Sequence, residues 1–157
     1  MLFLIKAYTN EVEEMYKNHP YTYKGDSGLD LFIPENTVIP AHKTILVDLQ
    51  ISCQLTIDSV SEIPDDNSYR SYLMYPRSSI YKSPLRISNS VGVCDQGYTG
   101  HLFIALDNIS DKDYLIHKGQ RYAQLCSGNL DPINFKVVKE LRKDTERGTN
   151  GFGSTGK

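Results

Sequence analysis

Apolar and β-branched residues fall in short runs along this chain, with no long helical stripe. TILVDLQIS (44–52) and HLFIALD (101–107) are the strongest of them. LDLFI (29–33), RYAQLCS (121–127) and NFKVV (134–138) are shorter runs bounded by Gly, Pro, Asn or Asp, the punctuation of strands. Many short strands with frequent turns predict an all-β sandwich or barrel. One segment alone reads as a helix: NEVEEMYK (10–17), with Asn10 as N-cap, Glu13 at the capping-box position, and Val12, Met15 and Tyr16 on one face. Residues 57–72 are polar and acidic around a Pro-Asp-Asp-Asn turn and predict a hairpin or loop excursion. No internal repeat and no linker divides the chain.

A chain of 157 residues is one ordinary domain with a self-sufficient core. Lys and Arg number 17 against 19 Asp and Glu, so no basic field is present to bind long nucleic acid, although a local cluster can still hold a small anion. Cys53, Cys94 and Cys126 are odd in number, far apart and form no CxxC, which suits buried thiols in a reducing compartment and argues against disulfide or zinc. The opening MLFLIKAYTN has only five residues before Lys6, too short for a signal core or a membrane span. An intracellular protein, cytoplasmic or nuclear and without membrane attachment, is therefore expected. His19, His42, His101 and His117 lack metal-like spacing and read as surface or turn residues.

Several stretches carry chemistry. YPRSSIYK (75–82) places Arg77, Ser78 and Ser79 after a strand and before one helical turn, either as an anion site or as a capped turn with a surface arginine. GDSGLDLF (25–32) sets Asp30 between Leu29 and Leu31, so Asp30 either faces outward or is buried with a partner, for which Arg77 is available. NSVGVCDQGYTGH (89–101) predicts a glycine-rich tight hairpin with Asp95 and Tyr98 near its tip. GQRYAQLC (119–126) is a strand interrupted by Gln120, Arg121 and Gln124. The ending GFGSTGK fits the G-x-x-x-x-G-K spacing of a phosphate loop, but no Ser or Thr and no helix follow Lys157, which leaves a frayed tail or an arm that orders over a ligand.

Taken in order, GLDL, PRSS, NSVGVCDQGYTG, GQRYAQL and RGTNGFGSTG resemble the five motifs of the trimeric dUTP pyrophosphatase (dUTPase) family, from about Ser27 to Gly156. That resemblance implies a single-domain distorted β-barrel or jelly roll of the β-clip kind over residues 1–143, with 144–157 as a mobile C-terminal arm closing over an active site. It implies Mg²⁺-dependent hydrolysis of dUTP to dUMP and pyrophosphate, which limits uracil in DNA and supplies dUMP for thymidylate. By the same resemblance Asp95 activates the attacking water and Tyr98 lies under the deoxyribose. Asn89 and the backbone near Val93 read uracil. Ser78, Ser79 and Gln124 meet the phosphates, and Arg77 pairs with Asp30, which touches the metal's waters. From the arm, Arg147, Gly153, Ser154 and Thr155 hold the γ-phosphate and Phe152 stacks on the base. A homotrimer with shared sites is implied, its wall, hairpin and arm coming from three chains, and a tail on so small a domain is expected not to reach its own hairpin.

The chain departs from the family pattern at Asn150, Ser79, His101 and Gly97, none of which removes an assigned chemical group. A dCTP deaminase-like enzyme is one rival, but the position of its glutamate proton shuttle falls on Ala105. A catalytically weak nucleotide-binding regulator acting through segments such as 57–72 is the other.

Overall fold

The computed structural model describes residues 1–20, 25–57, 65–143, 145, 147–149 and 151. In chain order its strands are β1 (Leu2–Ala7), β2 (Gly28–Phe32), β3 (Thr37–Ile39), β4 (Thr44–Asp48), β5 (Ile51–Thr56), β6 (Tyr69–Arg70), β7 (Tyr72–Pro76), β8 (Leu85–Ile87), β9 (Gly92–Cys94), β10 (Phe103–Asn108), β11 (Tyr114–Ile116), β12 (Arg121–Ser127) and β13 (Asn134–Val137). They form four sheets ordered β13-β1-β5-β6, β4-β10-β8, β11-β3 and β2-β12-β7-β9. The expectation of an all-β chain holds, but the described strands make open sheets instead of a closed barrel. No helix among the described residues is long and apolar enough to cross a membrane.

The expected strand at 44–52 is two strands in two sheets, because Gln50 takes a positive φ of 55° and its amide donates to Asp48 Oδ1 at 2.8 Å. That local turn ends β4 and starts β5 in a new direction. The helix α1 (Asn10–Lys17) forms as expected, but its N-cap is Thr9, whose hydroxyl accepts from the Val12 amide at 3.2 Å. Glu13 therefore sits past the capping-box position and pairs with Lys17 and Lys139 instead. Val12 and Tyr16 are buried on its inner face. The 57–72 excursion returns through a short 3₁₀ turn to β6, which pairs antiparallel with β5; residues 58–64 lie outside the described residues.

Two buried polar side chains on β5 hold the chain's later loops. Ser52 donates to the Gly100 carbonyl at 2.6 Å, and Gln54 makes a reciprocal pair with Arg142, donating to its carbonyl at 2.9 Å and accepting from its amide at 3.1 Å. Both are fully inside the protein, where an unmet partner would cost about 1–3 kcal/mol. The core joins Phe3, Ile5, Leu29, Leu31, Leu125, Ile104 and Leu106, each about 1.5–3 kcal/mol when removed from water.

All three cysteines are free and buried, as expected. Burial pushes the Cys53 thiol and the Tyr16 and Tyr72 phenols upward. Each of these groups holds its proton more tightly folded than unfolded. Their stabilisation is complete below the unfolded values and fades as pH rises through them, from about 8.5 for the thiol and about 10 for the phenols. The urea midpoint is expected to fall between about pH 8.5 and 10.5, less steeply at first in Cys53→Ala. A midpoint flat across that window would contradict the burial assignment.

Candidate functional site

The sheet β2-β12-β7-β9 carries the predicted chemistry on two faces. Across one row of the ladder stand Asp30, Gln124 and Tyr75; across the next stand Leu29, Leu125, Met74 and Gly92. Neighbouring rows point to opposite sides of a sheet. Two cavities follow from this alternation.

The larger, about 690 Å³, is lined by Asp30, Tyr75, Arg77, Ser78 and Gln124, with Asp26, Ser27 and Gly28 from the chain entering β2. Asp30 is partly buried and doubly partnered: Arg77 Nε donates to its Oδ1 at 2.5 Å, and Arg121 donates to its Oδ2 at 2.9 Å. Sequence reasoning named Arg77 for this contact and missed Arg121. The reason is a β-bulge in β12 between Arg121 and Ala123. One extra residue there turns Arg121 onto the face shared by Gln124 and Asp30, which simple alternation would forbid. Two guanidiniums share this one carboxylate; of the two, Arg77 also lines the cavity, where its fork can face a ligand. Arg77 also donates to Ser79 Oγ at 3.3 Å, and Gln124 donates to the Pro76 carbonyl at 3.3 Å.

His19 belongs to this wall, not to the surface as its sequence setting suggested. Its ring packs among Tyr16, Phe32 and Phe135, and burial lowers its basicity. Nε2 lies 3.0 Å from the Asp30 carbonyl, which can only accept, so the neutral ring carries its proton on Nε2.

The second cavity, about 170 Å³, lies in the 89–101 loop and is lined by Asn89, Gly92, Val93, Asp95, Tyr98 and Ala105, with Arg147 and Gly151 at its edge. The expected tight hairpin is not one, because β9 pairs with β7 rather than with the residues after the turn. Instead the Tyr98 amide donates to the Asp95 carbonyl at 3.0 Å, closing a turn that presents the half-exposed Asp95 carboxylate. Burial pushes the Tyr98 phenol upward, and its hydroxyl donates to the His101 carbonyl at 2.7 Å. Gly100 permits this, since a Cβ there would lie 2.6 Å from the Tyr98 oxygen. His101 is likewise no simple surface residue: Nδ1 lies 2.8 Å from Asp48 Oδ2. The methyl of Ala105 faces this cavity where a deaminase would need an acid.

The start of the arm does reach its own hairpin, contrary to expectation. Thr145 donates to the Gly97 carbonyl at 2.5 Å, the Thr99 amide donates to the Gly148 carbonyl at 2.9 Å, and Arg147 meets Asp95 Oδ2 at 3.1 Å. Gly97 makes room, because a Cβ would stand 3.1 Å from that of Arg147. Phe152, Gly153, Ser154 and Thr155 lie outside the described residues.

Among the described residues no group of three or more His, Cys, Asp or Glu could hold a metal ion. Each Asp30 oxygen, although bonded to an arginine, keeps a lone pair that can accept from a metal-bound water, so the wall fits a hydrated ion carried in on a ligand.

A family model described as dUTPase matches residues 15–156. The chain belongs to the dUTPase family. It is 35% identical to the deoxyuridine 5'-triphosphate nucleotidohydrolase of Clostridioides difficile over 137 residues, 87% of each chain. It is 32% identical to that of a Picosynechococcus species over 156 residues, 99% of this chain and 98% of the relative. The solved structure of the dUTPase from Streptococcus mutans superposes with a TM-score of 0.52 at 26% identity, covering 64% of this chain and 75% of that one. Family members depend on a divalent metal ion.

Asp30→Asn would leave two guanidiniums facing a neutral amide. It is expected to lower unfolding free energy by about 2–3 kcal/mol, with Arg121→Met costing less, both read by urea denaturation. Equal midpoints for parent and Asp30→Asn would show that the carboxylate does not hold this dUTPase wall together.

Proposed function

We propose that this chain hydrolyses dUTP to dUMP and pyrophosphate with Mg²⁺, and so keeps uracil out of DNA and supplies dUMP for thymidylate. The observation that carries the reading is the Asp95 carboxylate at the rim of a small cavity lined by loop backbone, one turn from a half-buried tyrosine. Backbone near Asn89 and Val93 offers donors and acceptors for the edge of uracil, while Tyr98 packs against the deoxyribose. Asp95 orients a water toward the α-phosphorus. As the new P–O bond forms, the water's proton passes to Asp95 and the bond to the α/β bridging oxygen breaks, releasing pyrophosphate. Arg77, Ser78, Ser79 and Gln124 neutralise and align the phosphates, and phosphoryl transfer gains mainly from such placement. Asp30 would accept hydrogen bonds from the waters of a bound Mg²⁺, which would supply charge neutralisation on the triphosphate. Arg147, paired with Asp95 in this structure, moves to the γ-phosphate, and Phe152, Gly153, Ser154 and Thr155 complete the site as the arm, 144–157, closes over the 1–143 domain.

We also infer a homotrimer. Because the arginine wall and the Asp95 loop lie on opposite faces of one sheet, a single copy cannot present both to one triphosphate; a neighbour's loop facing the wall can. The reach of the tail no longer supports this arrangement, since residues 145–149 rest on their own chain's loop. An intracellular setting, without membrane or long nucleic acid as partner, fits the balanced charge.

Asp95→Asn is expected to lower kcat for dUTP by about 10²–10⁴-fold with little change in KM, measured by pyrophosphate release. Hydrolysis at the parent rate would remove Asp95 from the chemistry. Truncation after Lys143 should leave a folded trimer by light scattering with greatly reduced turnover, and a truncated form as active as the parent would remove the arm from it.

A further inference from the structure

The Tyr98 ring can reject a ribose only as firmly as it is held, and its hydroxyl is held by one acceptor, the His101 carbonyl at 2.7 Å. What fixes that carbonyl is a brace at residue 101 itself. The His101 ring is tied through Nδ1 to Asp48 Oδ2, 2.8 Å away at the end of β4, and lies against the Tyr8 ring with centroids 3.8 Å apart. Tyr8 is in turn bonded to Ser52, which donates to the carbonyls of Gly100 and Thr99 at 2.6 and 3.1 Å. The next residue is pinned as well, the Leu102 amide donating to the Ile51 carbonyl at 2.8 Å. Two strands, β4 and β5, and Tyr8 just past the end of β1 thus converge on the segment 99–102, and the side chain that joins Asp48 of β4 to Tyr8 is a histidine.

We propose that the Asp48–His101 pair is a positioning unit that sets how strictly this chain discriminates against a ribonucleoside triphosphate. The inference rests on the reading of Tyr98 as the ring beneath the sugar. His101 does not touch the sugar in this account; it acts by keeping its own carbonyl, and so the Tyr98 ring, from yielding to a 2′-hydroxyl. A shape-based pocket rejects an added hydroxyl by only about 10²-fold, so a small loss of stiffness is visible in the ratio of substrates. Asp48→Asn weakens the pair without removing volume, and His101→Asn keeps a donor close to the place of Nδ1.

The test is the ratio of kcat/KM for dUTP to that for UTP in the full-length protein with Mg²⁺. Tyr98→Phe, which deletes the anchored hydroxyl, calibrates the effect. His101→Ala and Asp48→Asn are each expected to lower the ratio by about tenfold, approaching Tyr98→Phe, with His101→Asn retaining more of it than His101→Ala. A general loss of order would slow both substrates alike and leave the ratio in place. If Tyr98→Phe lowers the ratio and Asp48→Asn, folded and assembled, does not, the brace is refuted while the sugar assignment stands. If the parent hydrolyses dUTP and UTP equally, the sugar assignment fails and the brace falls with it; if Tyr98→Phe leaves the ratio unchanged, the hydroxyl anchor does not set it and the brace is refuted.

Discussion

One carboxylate shared by two guanidiniums organises the working sheet. Asp30 stands mid-strand on β2, Arg121 opens the adjacent β12, and Arg77 leaves the end of β7 one strand further on. Arg77 thus reaches Asp30 from two strands away, with β12 between them. The three charges lock the strands whose polar row faces the larger cavity, where Arg77 is the cation of the pair exposed to it. Without the carboxylate the two guanidiniums would repel each other and splay the wall.

The period of two along a strand then divides the labour. Gln124 and Tyr75 share a face with Asp30, while Leu125 and Met74 turn to the other side, where Met74 lines the cavity of the loop that carries Asp95 and Tyr98. The arginine wall and the Asp95 loop are thereby kept on separate surfaces of one small domain. In the homotrimer we infer, assembly would bring these two surfaces together. The buried polar residues of β5 complete the arrangement: Ser52 and Gln54 tie down the end of the Asp95 loop and the root of the arm from inside the fold.

Much of this was legible in the sequence, and the failures have physical causes. The strand runs at 29–33, 101–107, 121–127 and 134–138 and the helix at 10–17 carry strong local patterns and appear within a few residues of their expected places. The Arg77–Asp30 pair was readable because an acid within an apolar run needs a partner. Arg121 was hidden because a bulge shifts alternation by one, a property of the paired strands and not of RYAQLCS alone. The break at Gln50 was hidden because nothing in TILVDLQIS forbids one continuous strand; a positive φ at a glutamine is imposed by the two sheets it joins. His19 and His101 looked peripheral because their partners, an aromatic cluster and Asp48, arrive from distant parts of the chain. The turn at 95–98 was recognised from its glycines, but pairing of β9 with β7 is a long-range choice.

The central claim, that the arginine wall and the Asp95 loop of one site come from different copies, is tested by mixing two inactive chains. Asp95→Asn and Arg77→Ala, unfolded together in equal amounts and refolded, should form trimers in which about a quarter of the sites take an intact wall from one chain and an intact loop from another, restoring about a quarter of parental dUTP hydrolysis. Mixed trimers, verified by mass, that remain as inactive as either variant alone would contradict the account.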